Sequence, residues 1–225
     1  FQQGPLFTNL LLADELNRTP PKTQSALLEA MQEHTVSYAG TTHALPEPFF
    51  VLATQNPIEQ AGTYPLPEAQ LDRFLLHVRV DYPSELEERA ILAQTTGGVR
   101  AEVPAVMDAA QVIALQKLTR DVHLGEDVLA WIARLVRASR PRDSAIAEVR
   151  EWIKWGAGPR AGQALVLTAK ARALMHGRLA VTREDIGEML LPVLAHRVLR
   201  NFEAEADGVA ISDILLALRN EIKVD

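Results

Sequence analysis

The residues best placed for chemistry are two adjacent carboxylates and an amide. Asp14 and Glu15 end the apolar run Asn9–Ala13 (NLLLA), and Asn56 follows a second run, Phe49–Ala53 (FFVLA), in Thr54-Gln55-Asn56-Pro57. Runs this short and apolar read as strands of a parallel sheet buried on both faces. Ligands of parallel sheets bind beyond the carboxyl ends of the strands, so these three side chains can converge on one ligand. A carboxylate there can hold a cation or polarise a water, and an amide can donate and accept without adding charge. Two arginines stand at the edges of other elements. Arg73 stands in LDRF before a third run, Phe74–Val80 (FLLHVRV), and Arg160 stands in GAGPRAGQAL. Each also has a plain reading. The acids can be a solvated strand exit, the Asn-Pro pair a turn, Arg73 a surface ion-pair partner, and Arg160 an exposed loop–helix junction.

The elements that must position these groups fall into two grammars that meet near Asp81-Tyr82-Pro83-Ser84. Before that seam, Lys22–Glu33 has helical spacing with Leu27, Leu28 and Met31 on one face. His34–Tyr38, Gly40 and Thr41–Leu45 then read as a β-hairpin inserted before the second strand. Beyond the seam the chain reads as wholly helical. Ser84 is an N-cap with Glu85, Glu87 and Glu88 in its first turn. Further helical patterns cover Asp108–Thr119, Glu126–Ser139, Arg160–His176, Arg183–Leu199 and Ile211–Ile222, and Thr182 caps the fourth of these. Trp152 and Trp155 read as packing residues. Arg137, Arg140 and Arg142 read as a solvated helix end.

Composition narrows the possibilities. The sequence is 48% apolar and 23% charged, as in ordinary globular proteins. It has no cysteine, which excludes disulfides and thiolate metal sites, and its six histidines are scattered without paired ligand spacing. The net charge of −6 argues against a general nucleic-acid-binding surface. Every long apolar run is interrupted by charge, and no signal-peptide pattern opens the chain. These features fit a cytoplasmic location.

With their neighbours, the candidate residues resemble a known family. The blocks LLLADELNRTPPKTQSALLEAMQE and FFVLATQNPIEQAGTYPLPEAQLDRF are similar, in order, to the MoxR group of AAA+ ATPases, densely from Gly4 to about Pro83 and more loosely beyond. The resemblance implies a partial parallel-sheet core of the P-loop NTPase type over residues 1–82, followed by an all-α lid over residues 83–225. It implies ATP and Mg²⁺ as cofactors. Asp14 would hold Mg²⁺ through its water shell, and Glu15 would polarise the attacking water. Asn56 matches sensor 1, Arg73 the arginine finger that reaches the ATP of an adjacent subunit, and Arg160 the sensor 2 arginine of the lid. The resemblance further implies a ring of identical subunits, a hexamer, acting on client proteins with a von Willebrand factor A-type partner.

One element of the family is missing. No GxxxxGK[ST] segment occurs, and Gly97-Gly98-Val99-Arg100 lacks the lysine and hydroxyl such a loop needs. The expectation is that this loop lies upstream of Phe1 and that the chain alone does not hold ATP tightly, leaving three sheet strands where the family has five. Two rival readings stand beside this one. The chain could be a non-catalytic interaction fragment, or it could belong to a magnesium-chelatase-like or DNA-acting helix-2-insert ATPase.

Overall fold

The computed structural model describes residues 2–56, 62–97 and 103–222; the quoted stretch 57–61 and the glycine-containing stretch 98–102 lie outside them. Strand β1 (Leu10–Ala13) pairs in parallel with β4 (Phe50–Ala53), and the register sets Ala13 opposite Ala53. The crossover between them holds helix α1 (Pro21–Glu33), opened by Pro21 at its first position, where its missing N–H does no harm. Next comes the antiparallel hairpin β2 (Thr35–Tyr38) and β3 (Thr41–Ala44). Its two turn residues, Ala39 and Gly40, both have positive φ, as a tight two-residue hairpin turn requires. Leu27 and Leu28 of α1 join Leu16 and Leu66 in a small core, against which Leu11, Ala13, Val51 and Ala53 pack from one face of the sheet.

Two expectations about this sheet need correction. The strands are not buried on both faces: Leu10, Leu12, Phe50 and Leu52 are 60, 62, 53 and 49% exposed, since nothing among the described residues covers their side. The run Phe74–Val80 is not a third strand. Its backbone is engaged by the helical half instead: His77 N donates to the Pro192 carbonyl (2.8 Å), and the Phe74 and Leu75 carbonyls accept from the Arg197 side chain. Groups used this way are not available to a ladder.

After a single turn, α2 (Glu68–Leu71), come α3 (Glu85–Thr95), α4 (Ala109–Asp121), α5 (Glu126–Ala138), α6 (Ala147–Trp152), α7 (Pro159–Met175), α8 (Arg183–Leu194), α9 (Phe202–Ala206) and α10 (Ile211–Glu221). Capping boxes open α3, α4 and α8 at Ser84, Asp108 and Thr182. The larger core lies here, centred on Ile132, Leu135, Leu165, Ile186, Leu194 and Leu218. This half is not wholly helical, because β5 (Ile153–Trp155) pairs antiparallel with β6 (Leu199–Arg200). Accordingly α8 stops at Leu194 and does not reach Leu199. Trp152 packs on the core as expected, but Trp155 is 65% exposed. No described helix is long and apolar enough to cross a membrane.

Candidate active site

Parallel pairing puts the ends of β1 and β4 side by side, so Asp14 lies next to Thr54 and Asn56 follows two residues on. The two chains stay joined past the strands: Thr54 N donates to the Ala13 carbonyl (3.1 Å), and Leu16 N donates to the Thr54 carbonyl (3.0 Å). Between these bonds the Thr54 hydroxyl works in both directions. It donates to Asp14 Oδ1 at 2.6 Å and accepts from Glu15 N at 2.8 Å. One hydroxyl thereby fixes one carboxylate by its oxygen and the next by its backbone. Sequence reading overlooked Thr54.

Glu15 leaves the strand in the left-handed region, φ 50° and ψ 48°. A side chain with a Cβ costs about 1–2 kcal/mol there, and such residues concentrate at functional sites. The consequence is that Glu15 does not continue the strand's alternation, and its carboxylate meets Arg18 Nε at 3.1 Å in a half-exposed ion pair. A short 3₁₀ turn, Leu16–Arg18, follows and buries Leu16. That turn is braced by Gln24 of α1, a buried amide that donates to the carbonyls of Leu16 (3.2 Å) and Tyr64 (2.9 Å). The acids therefore stand on a stiff base.

The oxygen set fits Mg²⁺ better than a metal held by protein alone. Asp14 keeps one oxygen outside the Thr54 bond, and the described residues contain no group of three or more potential His, Cys, Asp or Glu ligands. Mg²⁺ keeps most of its waters and takes one or two carboxylates plus phosphate oxygens, which is what a lone Asp at a strand end can offer.

The two arginines are carried by other elements. Arg73 is exposed one residue past the turn that closes α2; it reaches the Leu28 carbonyl of α1 at 3.4 Å and borders a cleft of about 320 Å³ with Glu29, Glu33 and Gln70. None of Asp14, Glu15 or Asn56 lines that cleft. Arg160 is exposed in the first turn of α7. The helix cap before it, Gly158, lines a second cleft of about 300 Å³ together with Asp72, His196 and Arg197. Gly156, in the same loop, has no room for a Cβ, which would fall 2.4 Å from the Ser139 carbonyl oxygen; the loop is pressed against the end of α5. Arg140 adds to that contact by donating Nε to the Ala157 carbonyl at 3.1 Å.

A second cluster missed by sequence reading joins the two halves. Arg197, whose side chain is 3% exposed, pairs through Nε with Asp72 Oδ1 at 2.9 Å. Its Nη atoms donate to the carbonyls of Asp72, Phe74, Leu75 and Val193. Beside it, His196 Nε2 meets the same Phe74 carbonyl at 3.0 Å. Burial and then the neighbouring Arg197 charge lower the His196 imidazole to about 4, against the pull of the Phe74 carbonyl.

Strand-end acids on a parallel pair, followed by a helical bundle, are the arrangement that the AAA+ resemblance implies. Family models agree: one for the ATPase family associated with various cellular activities (AAA) matches residues 1–76, and one for the AAA lid domain matches residues 145–216. The chain is 41% identical to Chaperone MoxR1 of Mycobacterium tuberculosis over 92% of its own length and 55% of the relative's. It is 40% identical to YeaC of Bacillus subtilis over its full length and 68% of that protein. A solved structure of a candidate ATPase from Cytophaga hutchinsonii superposes with a TM-score of 0.94 at 38% identity, over all of this chain and 68% of the other. The chain belongs to the MoxR family of AAA+ ATPases. It spans between about half and two thirds of the length of these relatives.

Proposed function

We propose that the full-length protein hydrolyses ATP in a ring of identical subunits, a hexamer, and couples hydrolysis to the remodelling or maturation of client proteins. The shared rim of β1 and β4, where Thr54 ties Asp14 to Glu15 beside Asn56, is the observation that carries this reading. Asp14 would hold Mg²⁺, which when bound bridges phosphate oxygens and offsets their charge. Glu15 polarises the attacking water, and Asn56 orients it by accepting from it while donating to the terminal phosphate. Arg160 touches the nucleotide from the lid. Arg73, on the turn after α2, supplies charge to the site of the adjoining subunit; fingers of this kind are worth ~10³–10⁵ in rate. We place the division between core and lid at about Pro83. These 225 residues contain no phosphate-cradling GxxxxGK[ST] loop, and by themselves would hold ATP only weakly. The mycobacterial relative's name as a chaperone supports action on proteins. A von Willebrand factor A-type protein is the partner we propose, and the compartment we propose is the cytoplasm.

The test uses the full-length protein. Glu15→Gln is expected to keep nucleotide binding by equilibrium titration while turnover falls by about a hundredfold or more, as loss of a positioned base predicts. Hydrolysis at the unsubstituted rate would remove Glu15 from the mechanism.

A further inference from the structure

The segment that carries Arg73 is fastened to the lid and not only to the core. Residues 72, 74, 75 and 77 all bond to the end of α8 and the turn after it, through Arg197, His196 and the Pro192 carbonyl. Arg197 meets one carboxylate oxygen and four carbonyls, which uses the whole planar fork of a guanidinium. Arg73 is exposed in that turn and reaches only as far as the Leu28 carbonyl of α1 at 3.4 Å, while its neighbours Asp72 and Phe74 are held by the lid. The same cleft that Arg197 and Asp72 line is bordered by Gly158, the cap of the helix whose first turn holds Arg160.

We propose that Arg197 is a positioning residue for Arg73: it locks the Asp72–Leu75 turn to the lid, so that the finger offered to the neighbouring subunit follows the orientation of the lid that carries Arg160. This rests on the ring-ATPase reading above. A buried arginine at a seam would ordinarily serve stability alone. What sets this one apart is that its bonds bracket a single exposed arginine. A nucleotide that moves Arg160, and with it the lid, would pull on the turn that carries Arg73, whose own guanidinium rests on the Leu28 carbonyl of α1. Each subunit's finger would then report on its own nucleotide.

The experiment compares full-length subunits in mixed rings. Arg197→Lys keeps a positive charge but cannot bridge Asp72 to several carbonyls at once. Homogeneous rings of this variant are expected to lose roughly ten- to a hundredfold in kcat, as displacement of a catalytic group by an ångström would cause, with the KM for ATP changed less than about threefold. Mixing with Glu15→Gln subunits, which cannot hydrolyse but present an unaltered Arg73, is expected to restore activity to the level that Arg73→Ala subunits reach in the same mixture. Full kcat in homogeneous Arg197→Lys rings would overturn the proposal. So would a defect that Glu15→Gln subunits do not relieve although they do relieve Arg73→Ala. If Arg73→Ala itself is not relieved, the finger does not act between subunits, and the ring reading fails together with this one. Should Arg197→Lys not assemble, Asp72→Asn is read by the same two outcomes, since its side chain is partly exposed and it leaves the carbonyl bonds in place.

Discussion

The Thr54 hydroxyl serves two neighbours on the facing strand, and removing it would leave Asp14 Oδ1 and the Glu15 N–H without their partner. Thr54→Val keeps the shape and deletes only that group. It should cost about 1 kcal/mol of stability, the usual net worth of a hydrogen bond. Its larger effect should fall on turnover of the full-length protein, about tenfold or more, with Thr54→Ser recovering most of it. Equal kcat for Thr54→Val and the parent protein would show that the acids hold their place unaided. The strand ends that place Asp14, Glu15 and Asn56 were legible in the sequence, because an apolar run precedes each. Thr54 carried no comparable signal: a threonine beside a strand is common, and its importance arises only from a register between residues forty apart. Arg197 was hidden for a similar reason, since its partners Asp72, Phe74 and Leu75 lie more than a hundred positions away.

Helix caps were the most readable elements. Ser84 and Thr182 follow from local chemistry, and the structure has capping boxes at both. Helix ends set by tertiary contact were not readable: α8 stops at Leu194 because Leu199–Arg200 is taken up by β5. The apolar run Phe74–Val80 misled for a related reason, since hydrophobicity signals burial or extension but not the partner that a strand requires. At this scale the feature of greatest consequence is Asp185, the third residue of α8, which is fully buried. Burial raises its carboxyl pKa, but bonds from Arg178, the Thr182 backbone and Arg172 outweigh that and hold it well below the usual carboxylate range. Arg178 and Arg172 reach it at 2.6 and 2.7 Å. Asp185→Asn would leave two guanidinium groups facing a neutral amide, and should destabilise the lid by about 3–5 kcal/mol, as breaking buried pairs does. Urea denaturation followed by tryptophan fluorescence would measure it; a loss under 1 kcal/mol would mean that solvent already shares the pair.

Across the whole molecule, two cores of unequal size meet at the Arg197–His196 seam. That seam makes the union of core and lid sensitive to acid. His196 is neutral in the fold, donating through Nε2, while its buried Nδ1 has no acceptor for a second proton. With its pKa near 4 when folded and about 6.5 when unfolded, the unfolded chain takes up the proton first. Stability from this group is therefore complete above about pH 6.5 and is lost as pH falls toward 4, on the order of 3 kcal/mol at the limit. Denaturation midpoints measured from pH 7.5 to 4.5 should fall more steeply for the parent protein than for His196→Gln. Parallel slopes would place the imidazole in solvent. Fold class was legible at this scale from the change of pattern near Pro83, whereas the docking of the two halves was not, because it depends on a few long-range polar bonds and not on periodicity.

Position 15 is where the backbone bends left-handed, a shape that glycine takes freely and glutamate does not. A screen that rewarded heat resistance without asking for hydrolysis should therefore drift toward glycine there, gaining about 1 kcal/mol. Recovery of the parental glutamate in every clone would count against this. On the proposed role of Glu15, robustness and work would pull this one site in opposite directions.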